Sequence, residues 1–189
     1  SSLAGSGQET FWLRLERRAI QMEDRSLPSQ VQQVAWRGGR EPFEWRKIPT
    51  LWWDLRRVIR RIQPDVIHAG PVQTAAWLAG LSGFQPLVTM SWGSDLLIDA
   101  DRSVWMQYLT KSALRHSTVL VGDCLAVQHK AQSFGFPAER VVLFPWGVDL
   151  QHFSPGAAEE FRQRNGWQPE DCVLLCTRSW EPLYGVDVV

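Results

Sequence analysis

The sequence predicts an α/β protein built on a doubly wound, Rossmann-like parallel sheet, followed by the first, truncated unit of a second such domain. Three observations carry that expectation. Short runs rich in β-branched residues, 66–68, 87–90, 118–121 and 141–144, alternate with helical patterns of about ten to fifteen residues. Proline or glycine punctuates the alternation, at Pro64, Gly83, Pro86, Gly135 and Pro145. A further alternation starts after Pro145 and breaks off by Val189. Short apolar strands joined by helices belong to parallel sheets with helices on their faces.

Taken in order, the opening is hardest to read. Trp12, Leu15, Ala19 and Met22 recur at helical spacing and predict a helix over 11–22. Residues 31–36 predict a strand, closed by Gly38 and Gly39. No buried strand is expected before that first helix, so the domain's own first strand is expected to lie outside the chain. From Pro49 onward, Leu51, Leu55, Val58, Ile59 and Ile62 share one helical face, and Pro64 stops the helix. A strand at 66–68 and an alanine-rich helix at 74–81 follow. The strand 87–90 runs into the loop Ser91-Trp92-Gly93-Ser94-Asp95. A helix over 103–115 carries Trp105, Leu109 and Ala113 on one face. After the strand 118–121, Asp123 is placed to cap a helix with Val127, Ala131 and Phe134 on its face. The run 141–144 is stopped by Pro145, and Gly147 permits a turn. A polar helix over 157–164 and a buried strand over 172–176 complete the readable part, with a helix starting at Gly185.

Bulk properties narrow the function. In 189 residues, Lys plus Arg number 20 and Asp plus Glu 20, so the net charge is zero, which argues against nucleic acid as partner. No apolar run approaches the ~18–20 residues of a membrane span, and the opening residues do not read as a secretory leader. Cys124, Cys172 and Cys176 form no CxxC pair, and a reducing, cytoplasmic setting accounts for them. Phosphate-loop, zinc-protease and nucleophile-elbow motifs are missing, as is a GxGxxG opening. Ligands of a doubly wound sheet bind beyond the carboxyl ends of the strands, which points at the loops 68–71, 91–95 and 144–149. Eleven tryptophans are many for this length, and Trp92, Trp146 and Trp180 fall in loops.

Four motifs fall in order: Pro64-Asp-Val-Ile-His68, Ser91-Trp-Gly-Ser-Asp95, Arg140-Val-Val-Leu-Phe-Pro-Trp-Gly-Val-Asp149 with Phe153-Ser-Pro155, and Arg178 with Tyr184-Gly185-Val-Asp187. Together they resemble the family 4 glycosyltransferases of the GT-B fold, the glycogen-synthase-like retaining enzymes. The resemblance implies an acceptor-side domain over 1–145 and a hinge with the first unit of the donor-binding domain over 146–189. It implies transfer of a sugar from a nucleotide-sugar donor to a sugar, lipid-linked or small-molecule acceptor with retained anomeric configuration. No metal and no cofactor is implied. Negative charge grows on the leaving diphosphate, and the guanidinium of Arg178 suits it. Trp92, Gly93, Ser94, Asp95, Trp146 and Gly147 are the substrate-binding candidates; no catalytic residue is assigned.

Each candidate has a plainer reading: Trp92 as core, Gly93 as a turn, Asp95 as a helix cap, His68 as a satisfied strand-end histidine. The chain departs from the family wording in three places. Trp92 stands at a usual histidine, Trp146 at a usual asparagine, and Tyr184 near a usual lysine. The family's glutamate pair has no counterpart here, so the chain by itself is expected to be inactive. A non-catalytic Rossmann-like binding module is the alternative, and a flavodoxin-like small-ligand protein a second. Arg56, Arg57, Arg60 and Arg61 form a basic edge on one helix. Such an edge is either a solvated face or a peripheral contact with an anionic membrane.

Overall fold

The computed structural model describes residues 7–15, 28–40, 43–156 and 158–176. The chain separates into two units, one reaching Trp146 and the other starting at Gly147.

Six strands of the first unit lie in two parallel sheets. β1 (Thr10–Trp12) pairs with β2 (Val31–Gln33), Thr10 beside Val31. β3 (Ile67–Ala69), β4 (Leu87–Met90), β5 (Val119–Gly122) and β6 (Val141–Leu143) form the larger sheet in that order. Its register sets Ile67 beside Leu87, Val88 beside Val119 and Leu120 beside Val141. Every crossover steps to the next strand in the same direction, so right-handed connections place their helices on one face. That face carries Leu87, Thr89, Leu120 and Gly122, all buried. Val88, Met90, Val119 and Val121 on the other face are half-buried. The described residues thus show one of the two helical layers of a doubly wound sheet.

The helices follow from apolar spacing. α1 (Ile48–Ile62) buries Leu51, Leu55 and Val58 against Trp36 and Leu78. It ends where Gln63 turns left-handed, φ 53°, before Pro64. After β3, a single π turn, Val72–Ala76, leads into α2 (Trp77–Leu81), with the Ala76 amide donating to the Pro71 carbonyl at 3.1 Å. α3 (Ser94–Leu97) is one turn long. α4 (Val104–His116) starts under a Ser103 hydroxyl that accepts from the Met106 amide at 3.2 Å. α5 (Leu125–Ser133) returns to β6. Leu96, Leu109, Ala113, Leu120, Val127 and Ala131 are fully buried in the resulting core. Arg140, at the head of the β6 motif, is structural: its guanidinium donates to the Thr118 carbonyl at 2.7 Å and also to that of Ser117.

Four expectations are corrected. Residues 11 and 12 of the predicted opening helix are strand, because Thr10 to Trp12 pair with β2 and Leu13 and Leu15 pack against the α1 cluster. A pattern that fits a helix was overridden by tertiary pairing; its residues 16–22 lie outside the described residues. Trp105 is not on the buried face of α4, which consists of Leu109, Thr110, Ala113 and Leu114; Trp105 is 51% exposed. Asp123 does not cap α5: Cys124 occupies the N-cap, and no side chain bonds there. In the second unit, 172–176 is neither strand nor buried, with Leu174 80% and Leu175 83% exposed. Among the described residues no neighbouring strand satisfies its amides, so its apolar pattern finds no ladder.

That second unit has its own local order. The Asp149 carboxylate accepts from the Gln151 and His152 amides at 3.0 and 3.1 Å. α6 (Glu159–Asn165) ends at Gly166, φ 72°. Arg162 folds back on the Gln168 and Asp171 carbonyls at 2.7 and 3.1 Å.

The core assignment is checked by two truncations. Leu109→Ala should cost about 3 kcal/mol in urea denaturation, whereas Trp105→Ala should cost about 1 kcal/mol, the worth of its ring contacts. Equal losses would return Trp105 to the core.

Candidate functional site

All four strands of the larger sheet point the same way, so Ala69, Met90, Gly122 and Leu143 end on one edge. The loops leaving β3 and β4 there are locked together. A Cβ on Gly70 would stand 2.5 Å from the Met90 carbonyl and 3.2 Å from the Trp92 indole nitrogen, so only glycine lets the two loops meet. The Ser91 amide extends the ladder to the Val121 carbonyl at 2.9 Å. Gly93 then takes φ +86°, and α3 begins.

Beneath this loop lies Asp95, 4% exposed. One carboxylate oxygen accepts from the Ser91 hydroxyl at 2.7 Å and from the Trp92 and Leu96 amides at 3.0 and 2.9 Å. The other accepts from the Val72 amide at 2.9 Å. Both oxygens of the carboxylate are thus engaged, three donors converging on one and a single donor on the other. The π turn explains how Val72 can serve: an amide in the first helical turn has no intrahelical acceptor and must find one elsewhere. Gln73 completes the knot, its amide donating to the Asp95 carbonyl at 2.7 Å and to the Thr110 hydroxyl at 2.8 Å. Asp95 therefore works inside the fold, holding β3, β4 and α4 together.

The outer surface of the loop is open. Trp92 is 59% exposed and Ser94 is exposed, with Gly93 half-buried between them. Trp146 is also exposed, three residues past β6. Strands two apart in a sheet lie about 10 Å from each other, so Trp92 and Trp146 leave the same edge from β4 and β6. Gly147 belongs to the second unit. Arg178, the expected diphosphate ligand, and Tyr184 lie outside the described residues.

Two further groups bear on the edge. Partial desolvation lowers the pKa of His68, whose surface is still exposed on β3, below its ordinary 6.5 and so favours the neutral imidazole. Asp123 follows β5, and its Oδ1 is buried with no hydrogen-bond partner among the described residues. Among the described residues Trp77 Nε1 shares that state, so it does not by itself single out a site. The sequence signal, an aspartate directly after a strand, was the same one that reads as a cap. No helix among the described residues is long and apolar enough to cross a membrane.

Residues 20–123, more than half of the chain, match the profile of the family described as Glycosyl transferase 4-like. The chain belongs to this family. No curated protein matches it. Among solved structures, this Glycosyl transferase 4-like chain is similar to Alr3699/HepE from Anabaena, crystallised in complex with UDP, with a TM-score of 0.53 and 20% identity. The similarity covers 62% of this chain and 32% of that protein, so the chain spans about a third of its length. At that identity the likeness establishes the fold, an α/β arrangement of the GT-B kind.

The knot is tested by Asp95→Asn, which turns one acceptor into a donor facing another donor. Thermal or urea unfolding should show a loss of about 3 kcal/mol, the penalty for unpaired buried polar groups. A loss under about 0.5 kcal/mol would mean the carboxylate is not what ties the loop.

Proposed function

We propose that the chain is the acceptor-side domain and the start of the donor-side domain of a retaining, glycogen-synthase-like glycosyltransferase. It would transfer a sugar from a nucleotide-sugar to an acceptor in the cytoplasm, with no metal or other cofactor. The observation that carries this reading is the family match over 20–123. The resemblance of the Pro64-to-Val189 motifs and the UDP bound by the structural neighbour support the donor class. Three free, exposed cysteines support a reducing compartment.

Within this reading, Trp92 offers an exposed indole face to the apolar C–H side of a sugar ring. Asp95 and Gly93 set the loop that aims it, and Ser94, Trp146 and Gly147 contribute along the same chain segments. Arg178 would meet the diphosphate. The non-catalytic binding module remains the competing reading, favoured by Trp92 in place of the family's usual histidine.

Turnover separates the two. Supplied with a panel of nucleotide-sugars, the 189-residue chain should give no transfer. Joined to a complete donor-side domain, it should give product with the donor's anomeric configuration by NMR, insensitive to EDTA. Trp92→Ala should then lower transfer about tenfold, the effect of losing one stacking contact of about 1.4 kcal/mol. Transfer by the chain itself, an inverted anomer or EDTA sensitivity would each remove part of the reading. Binding of donor without any transfer by the completed protein would favour the module.

A peripheral membrane contact belongs to the same proposal. Arg57, Arg60 and Arg61 are exposed on α1 beside Trp53, itself 58% exposed, while Arg56 leans over Trp52 at 4.9 Å. At about 1 kcal/mol per basic residue, the cluster supplies about 4 kcal/mol, a dissociation constant near 1 mM. Co-sedimentation with phosphatidylglycerol vesicles should therefore be weak, lost at high salt and abolished by Arg57→Glu with Arg61→Glu. Salt-insensitive sedimentation would contradict an electrostatic contact.

A further inference from the structure

A second feature lies between β2 and α1, on residues that the loop 91–95 does not include. The turn that follows β2 and the start of α1 enclose a cavity of about 360 Å³. Arg37, Arg40 and Lys47 line it together with Thr50, and Phe43 and Leu51 supply its apolar wall. The Asp54 carboxylate accepts from the Arg37 amide at 2.8 Å, which fixes the backbone of the turn and leaves the guanidinium outside that bond. Among the described residues neither the Arg37 nor the Arg40 guanidinium has an ion-pair partner. Lys47 is held by Glu44 at 2.9 Å.

From this cavity an aromatic row leads outward. The Phe43 ring is 5.0 Å from that of Trp45, which lies 6.1 Å from Trp105, which stacks on Tyr108 at 5.5 Å. Trp45, Trp105 and Tyr108 are 42%, 51% and 57% exposed. Trp45 also touches Trp77 at the start of α2, at 5.9 Å. The row therefore joins the N-terminal ends of α1, α2 and α4, the ends that lie at the carboxyl edge of a parallel sheet. Two unpaired guanidinium forks suit the oxygens of a phosphate, and the exposed ring faces suit a sugar or an apolar chain. One ligand would satisfy both halves.

We propose that the cavity binds the phosphate or diphosphate group of the acceptor, whose body lies along Trp45, Trp105 and Tyr108. This rests on the glycosyl-transfer reading for the word acceptor, but the phosphate site stands on its own geometry. The acceptor class is then a phosphate ester, either a free sugar phosphate or a lipid-linked phosphate.

Calorimetric titration of the chain with inorganic pyrophosphate tests the cavity without any donor or turnover. Saturable binding should weaken about tenfold or more in Arg37→Gln with Arg40→Gln, as expected when a bidentate charge-assisted contact is lost. Arg37→Lys should lie between, keeping charge without the fork. The pair Arg57→Gln with Arg60→Gln, on the outer face of α1, should leave binding unchanged. Glucose 1-phosphate and phosphatidylcholine vesicles carrying a polyprenyl phosphate identify the source: the correct one binds more tightly than pyrophosphate and loses that gain in Trp45→Ala with Trp105→Ala. Absence of saturable pyrophosphate binding, or equal loss in both arginine pairs, overturns the site. Such a failure leaves the transferase reading standing, just as an inactive completed protein would leave the phosphate site standing.

Discussion

The buried carboxylate of Asp95 is the interaction on which the sheet edge depends. An acceptor group with no cation beside it is tolerated in a core only when donors replace its water. Here Ser91, Trp92, Leu96 and Val72 do so. Two of those donors come from the loop after β4, one from α3 and one from the π turn after β3. A single side chain therefore sets the spacing of two strand ends, and Gln73 carries the constraint on to Thr110 in α4. The consequence for function is positional. Trp92 can stand exposed and still be fixed, because its backbone is tied below while Gly70 leaves room beneath its ring. A site on a loop needs such support if it is to hold a substrate in one geometry.

How much of this the sequence disclosed depended on whether local chemistry or distant pairing decides the outcome. The strand Leu87–Met90 and the helix Ile48–Ile62 were legible because proline and one clean apolar face bound them. Thr10–Trp12 was misread because three residues carry no period, and only β2 makes them a strand. Residues 172–176 failed for the opposite reason: their pattern was strand-like, but a strand needs a neighbour. Trp105 misled because helical spacing says which residues share a face, and not how far that face extends toward the first turn.

At the site the limits were similar. The loop Ser91-Trp-Gly-Ser-Asp95 was found from its place after a strand, yet the division of labour inside it was not legible. Asp95 was a cap or a ligand on sequence grounds; its bonds to Val72 and Ser91 come from partners 23 and 4 residues away. Asp123 read as a cap and instead leaves a buried oxygen that meets no donor among the described residues, at the end of β5. The cavity at Arg37, Arg40 and Lys47 was invisible in a chain whose charges cancel, since net charge says nothing of where the cations collect.

The tryptophans draw these strands together. Were they mainly core, as their area alone would suggest, they would resemble Trp36 and Trp77, which are 5% and 7% exposed. The fully buried core is instead made of leucine, valine and alanine. Trp45, Trp53, Trp92, Trp105 and Trp146 all keep more than two fifths of their surface in water. Single exposed indoles need no special account, but contiguous ones such as Trp45 and Trp105, 6.1 Å apart, form the kind of patch that marks an interaction surface. Four of the five sit at helix starts or strand ends on the carboxyl edge, where open parallel sheets bind ligands. The fifth, Trp53, stands among the exposed arginines of α1.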